Sequence, residues 1–446
     1  MRMSRLRRPL ILSAIVLTMI ATASRSGSWY EDARVRTGLL RDAGRRIFSD
    51  PSYSASGRQS CANCHDPANR YNPSNPLAVQ MGGPLLRDQG LRAPPTLTYL
   101  NRIPPYDNHH HDSEDEADNS IDNGPTGGLT WDGRVDNSAQ QAAIPLTSKF
   151  EMASTKTAIA AAVRRAPYVG NLRKALGEHA LDRDDDAFAA VTRALGAFEE
   201  DYAEFSPYTS KYDAWLTGHA RLNTRELRGL ALFEDEKKGA CASCHLSRRA
   251  LDGTPPVFSD YGLIALGVPR NPKLARNSDP AFDDLGACGP ERKDKAGQPE
   301  YCGLFRTPTL RNVALRKTFF HNGVFHDLRD AVAFYATRDI TPERWYSRDA
   351  RGRVSRYDDL PARYHGNINM DAPFAGQHPG AKPSLGDADI DDIVVFLGTL
   401  NDGYLKDNPY RAKPAAATPW ALPASAAEDD VRRGGGGHVL DHAIPQ

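Results

Sequence analysis

The sequence carries no net charge: 56 lysines and arginines balance 56 aspartates and glutamates. Nucleic acid and anionic membrane surfaces reward a cationic excess, so the balance points to neither as a partner. Strand periodicity is scarce. Helical spacing recurs instead, in segments separated by long Gly- and Pro-rich stretches, and the fold class read from it is mainly α. Cysteine is sparse, six in 446 residues, and nothing around the six resembles the βαβ unit of a thioredoxin-type dithiol. With 40% hydrophobic and 25% charged residues, the chain has the composition of a globular protein of two or three domains.

The first residues depart from that average. Arg2, Arg5, Arg7 and Arg8 precede an uncharged apolar run from Leu10 to Ala23, which ends on the small residues Ala21-Thr22-Ala23. This three-part pattern predicts a secretory signal over 1–23 and a mature chain beginning near Ser24. An uncleaved anchor is the competing reading, against which the run is short for a spanning helix. Export to the periplasm suits the cysteines: Cys288 and Cys302 lie close together in a Gly- and Pro-containing loop, and in an oxidising compartment they are expected to form a disulfide.

An internal repeat involves the other four cysteines. Gly44-Arg45-Arg46-Ile47-Phe48 reads as a helix end, followed after a loop by Cys61-Ala62-Asn63-Cys64-His65. Arg228 to Phe233 reads the same way and is followed by Cys241-Ala242-Ser243-Cys244-His245. Between them, Thr155 to Phe205 shows helical spacing at Phe188, Val191, Leu195 and Phe198. A second entry helix spans Leu222 to Phe233. A closing helix is expected over Leu385 to Leu400, with Ile390, Ile393, Val394 and Leu397 on its apolar face. The expectation is two tandem class I cytochrome c-like domains with long connecting loops, an N-terminal one over 24–206 and a C-terminal one over 207–410. The acidic, histidine-containing stretch 109–123 and the tail 411–446 are expected to be disordered. A metal at His109, His110 and His111 competes there with a plain solvated loop.

Cys-x-x-Cys-His brings two thiols for thioether bonds and one imidazole for iron into a single turn, the pattern of covalent haem c attachment. Zinc usually needs two such clips to complete four ligands, and each copy here stands alone. Two haems are therefore expected, on Cys61, Cys64 and His65, and on Cys241, Cys244 and His245. Whether they only carry electrons depends on the sixth position of each iron. A peroxide-cleaving haem keeps one face open beside an acid/base; a carrier fills both faces.

Further motifs speak to that question. Trp131-Asp132-Gly133-Arg134 is followed by Gln141, Pro145 and Glu151-Met152. Phe305 to Asn312, in Phe-Arg-Thr-Pro-Thr-Leu-Arg-Asn, precedes Phe320-His321-Asn322-Gly323. Over residues 35 to 405 the order and spacing resemble the bacterial dihaem cytochrome c peroxidases and their MauG relatives, with Leu385 to Tyr404 similar to the family's closing helix. The resemblance implies that Glu151 is the distal carboxylate at the N-terminal, peroxidatic haem, Gln141 a distal amide and Pro145 a pocket-shaping residue. It implies that Trp131 lies between the haems as an electron relay. It implies that Tyr335 is the distal ligand of the second haem, as in the MauG branch, where classical members use a methionine; Met370 is the competing ligand here. Oxygen ligation favours oxidised iron.

The departures are as informative. Classical members cap the peroxidatic iron with a histidine, but none occurs between His65 and His109, and Ala93-Pro94-Pro95-Thr96 occupies the corresponding segment. That segment also lacks the asparagine that supplies the family's interdomain calcium, so calcium is in question. Gly239 stands where MauG has a tryptophan used on its protein substrate. The leading expectation is a periplasmic peroxidase that reduces hydrogen peroxide with electrons from a small c-type cytochrome or cupredoxin. These enter at the C-terminal haem and pass by Trp131 to the N-terminal one. A MauG-like oxidase acting on a partner protein and a non-catalytic carrier are the alternatives, and a homodimer is compatible with either.

Overall fold

Two glycines, each four residues ahead of a phenylalanine, organise the architecture of this computed structural model, which describes residues 31–109, 124–250 and 252–406. Helix α1 (31–48) carries Gly44 and Phe48. It crosses helix α5 (Asp184–Glu199) so closely that a Cβ at Gly44 would overlap the Ala194 carbonyl and press on Phe198. Phe48 and Phe198 then meet edge to face, centroids 5.4 Å apart. Between α1 and α5 run α2 (Ser138–Thr147), α3 (Lys156–Arg165) and α4 (Val169–Leu176). The expected Thr155–Phe205 stretch thus divides into several helices, with Thr155 capping α3 through its side chain.

The pattern recurs later in the chain. Helix α6 (Thr224–Glu234) crosses α8 (Asp387–Gly398), and a Cβ at Gly229 would overlap the Asp392 carbonyl and press on Phe396. Phe233 and Phe396 again stand edge to face, 5.4 Å apart. Helix α7 (Leu328–Thr337) packs alongside α8. An apolar core surrounds each crossing. One gathers residues from Ala43 to Phe205, the other from Tyr212 to Leu400.

Strands are few and short. Met81–Gly82 pairs antiparallel with Asp88–Gln89, and Leu263–Ile264 with Phe305–Arg306. Long loops account for most of the remainder, and Cys288 and Cys302 are bridged within one of them, as expected. The expected signal over 1–23, the start near Ser24, His110 to Asn123 and the tail 411–446 lie outside the described residues. His109 is exposed. No described helix is long and apolar enough to cross a membrane.

Candidate active site

Each Cys-x-x-Cys-His motif forms one tight turn. The His65 amide donates to the Cys61 carbonyl at 2.9 Å and the His245 amide to the Cys241 carbonyl at 2.8 Å. His65 Nδ1 faces the Tyr71 carbonyl at 3.3 Å, and His245 Nδ1 faces the Phe258 carbonyl at 2.9 Å, leaving Nε2 of each ring for a metal. Tyr71 and Phe258 both hold a left-handed backbone, φ 58° in each, which turns their carbonyls toward the imidazoles. Their rings also join the edge-to-face clusters, Tyr71 on Phe48 and Phe258 on Phe233. Burial lowers both histidines to about 4, which keeps them neutral and ready to ligate.

The four cysteines are free of disulfides. Burial pushes their thiols up, Cys64 and Cys244 to about 11, the opposite of a reactive dithiol, which needs a depressed thiol. Among the described residues, no three His, Cys, Asp or Glu side chains group as a zinc site would require. Two thiols beside an oriented imidazole, at the mouth of a cavity, fit a covalently attached haem at both places.

The cavity at Cys61, Cys64 and His65 holds about 670 Å³ and is also lined by Trp131, Gln141, Pro145 and Glu151. Sequence reasoning brought these together, and the local structure shows how. Pro145 sits inside α2, where its missing N–H frees the Gln141 carbonyl from the helix ladder. The chain then turns sharply after Thr147, with the Glu151 amide donating to the Ser148 carbonyl (3.0 Å) and the Gly83 amide to the Glu151 carbonyl (2.8 Å). A Cβ at Gly82 would collide with the backbone of Phe150 and Glu151, so only glycine admits this approach. The Glu151 carboxyl opens onto the cavity and titrates above the usual carboxylate range. Desolvation is the main cause and Glu291 adds to it, while Ser148 and Arg134 oppose. His65 is the only histidine among the cavity's described lining residues, which include Ala93, Pro94 and Pro95.

Trp131 lines this cavity and the second one. Its indole N–H donates to the Ala93 carbonyl at 2.7 Å. The neighbouring Asp132 pairs with Arg92 (2.7 Å) and Arg134 (2.8 Å); burial alone would raise this carboxyl, but the two guanidinium groups outweigh it and hold it near 2.

The second cavity, about 200 Å³, is lined by Cys241, Cys244, His245 and Tyr335 of α7. Tyr335 lies between Phe320 and Phe374, at 5.9 and 5.7 Å, and its hydroxyl meets no hydrogen-bond partner among the described residues. Desolvation raises this phenol well above its ordinary value, and the nearby Cys244 and Cys241 add to the shift. Met370 lies outside the lining, half-exposed, with its sulfur 3.2 Å from Arg338 Nη2. Gly239 has no room for a larger side chain: a Cβ there would press on the Leu232 carbonyl and the Cys241 sulfur.

Sequence reasoning missed several residues. Glu199 on α5 lines the first cavity, buried, with Oε2 unpaired; desolvation, and then Glu200, push its carboxyl up to about 8. In sequence it belongs to the acidic run Glu199-Glu200-Asp201, which reads as a solvated helix end. Arg92, Tyr71 and Phe258 carried no spacing signal either.

Comparison with known proteins agrees with this geometry. The family model for di-haem cytochrome c peroxidase matches residues 41–221. The methylamine utilization protein MauG of Paracoccus denitrificans is 31% identical over 378 residues, covering 83% of this chain and 91% of MauG. Cytochrome c551 peroxidase of Pseudomonas aeruginosa is 27% identical over 302 residues, 67% of this chain and 72% of that protein. The crystal structure of the diheme peroxidase BthA from Burkholderia thailandensis superposes with a TM-score of 0.72 at 36% identity, covering 82% of this chain and 86% of BthA. The chain belongs to the di-haem cytochrome c peroxidase and MauG family.

Proposed function

We propose that the chain is a periplasmic peroxidase that reduces hydrogen peroxide to two waters, consuming two electrons from a small c-type cytochrome or cupredoxin and two protons. Haem c at each Cys-x-x-Cys-His turn supplies the iron chemistry. In this reading Glu151 takes a proton from one peroxide oxygen and returns it to the other, a task that suits a carboxyl titrating above its usual range. The Gln141 amide steadies the bound oxygen by hydrogen bonding, and Pro145 shapes the space around it. Tyr335 would join His245 in holding the iron of the haem in the second cavity, a role supported by its position there and by Met370 lying elsewhere. Trp131 passes electrons between the two centres. Residues 24–206 and 207–410 would form the two haem domains, a division supported by the repeated helix crossing and histidine support.

The observation that carries this reading is one cavity bordered by Cys61, Cys64, His65, Gln141 and Glu151, without a second histidine among its described lining residues. It predicts an enzyme that needs no prior reduction. Peroxide added to the fully oxidised holoprotein should change its spectrum at once, and a reduced cytochrome c or cupredoxin should then be oxidised catalytically. Silence in both assays would overturn the assignment.

A MauG-like oxidase acting on a partner protein is the second reading, favoured by Tyr335 and by the similarity to MauG. The crowding at Gly239 weighs against it, since no indole can stand there as the oxidising surface residue.

A further inference from the structure

The segment Ala93–Thr96 lacks the asparagine that serves the family's interdomain calcium, and its Pro94 carbonyl faces a guanidinium. Arg316 Nη2 donates to that carbonyl at 3.0 Å, Nη1 to Asn72 Oδ1 at 3.1 Å, and Nε to the Thr318 carbonyl at 3.3 Å. The three acceptors come from three separate places. Asn72 lies just beyond the first Cys-x-x-Cys-His turn, Pro94 in the segment bordering the first cavity, and Thr318 in the loop leading to Phe320-His321-Asn322-Gly323. All three are neutral oxygens, two peptide carbonyls and one amide, the donor type that hard cations take.

A charge in such a place would ordinarily have a carboxylate. Arg92, Arg311 and Arg338 each have one within 2.7 Å. Arg316 forms no ion pair among the described residues, and desolvation alone lowers it, to about 10. It still carries its charge at neutral pH, and it lines the second cavity, the one bordered by Cys241, Cys244 and His245. The residues present do not fit calcium: a dication directed at these oxygens would meet a guanidinium already holding them.

We propose that Arg316 is a built-in cation that replaces the family's calcium, tying the two halves together through Asn72, Pro94 and Thr318 and setting positive charge on the wall of the second cavity. The arrangement makes the junction independent of metal supply and of chelators. It does not depend on the peroxide chemistry, and its tests do not read peroxide turnover.

The experiment uses the dihaem holoprotein. Calorimetric titration with calcium chloride and metal analysis after dialysis should find no stoichiometric calcium, and a chelator should leave the melting temperature unchanged. Arg316→Gln should lower the melting temperature by roughly 3 °C or more. It should also lower the midpoint potential of the haem in the second cavity, because loss of a nearby positive charge favours oxidised iron. Arg316→Lys, which keeps the charge, should hold the potential close to wild type. If Arg316→Gln fails to accumulate while Arg316→Lys folds, that supports a required cation. Stoichiometric calcium uptake by the wild type overturns the proposal, as does an Arg316→Gln protein with unchanged melting temperature and potential.

Discussion

The two regions that carry the Cys-x-x-Cys-His turns share one scaffold and differ in what is built over it. Gly44, Phe48, Phe198, Tyr71 and His65 in the first correspond to Gly229, Phe233, Phe396, Phe258 and His245 in the second, with the same close helix crossing and 5.4 Å ring pairs. Over the first scaffold the chain lays a proline-interrupted helix and a turn presenting Glu151 to a roomy cavity. Over the second it lays α7, with Tyr335 between two phenylalanines in a smaller one. The lesson is that the scaffold around the motif is repeated while the remaining cavity walls are varied locally, by a few side chains.

The largest effect that would break this comparison is expected at Glu151. Glu151→Gln should cut peroxide turnover by about 100-fold or more, the usual worth of a positioned acid/base, while pyridine haemochrome spectra still report two haems. Tyr335→Met should leave that cavity unchanged but raise the potential of the second haem, measurable by redox titration, because thioether ligation disfavours oxidised iron.

The shared scaffold makes a symmetric prediction of intermediate size. Gly44→Val and Gly229→Val should each destabilise the protein by about 1–3 kcal/mol in chemical denaturation, since both force apart a helix crossing with no free volume. A large loss at one site and none at the other would refute the correspondence.

Smaller effects are expected from pH. In the proposed reaction Glu151 acts as a base in its ionised form, so turnover should fall as pH drops through a value above the ordinary carboxylate range, and Glu151→Gln should erase that limb. Glu199 titrates at about 8 instead of 4.5. Its contribution to stability is full below the unfolded value and is lost as pH rises through the folded one. Melting temperature should therefore decline between pH 5 and 8 more steeply in the wild type than in Glu199→Gln.

Much of this asymmetry is legible in the sequence. Each Cys-x-x-Cys-His turn is contiguous, so both stand out; helices α5 and α8 show in apolar spacing, α1 and α6 as repeated helix ends ahead of each motif, and the disulfide in the proximity of its cysteines and the expected export. Gln141, Pro145 and Glu151 fall within eleven residues, and the family resemblance was needed to tell them from a helix end. What stays hidden depends on contacts across the chain. Tyr71 and Phe258 act through backbone carbonyls, which any residue supplies, and stand 6 and 13 positions beyond their histidines. Arg316 and Glu199 look like surface charges until the loops fold over them.

One indole borders both chambers, and this has a logistical consequence. In the proposed reaction the reductant need never meet the oxidant, because Trp131 lies on the wall that the two cavities share. The same economy binds the two rooms together: any change to that wall is felt on both sides at once, so neither centre can be retuned in isolation there.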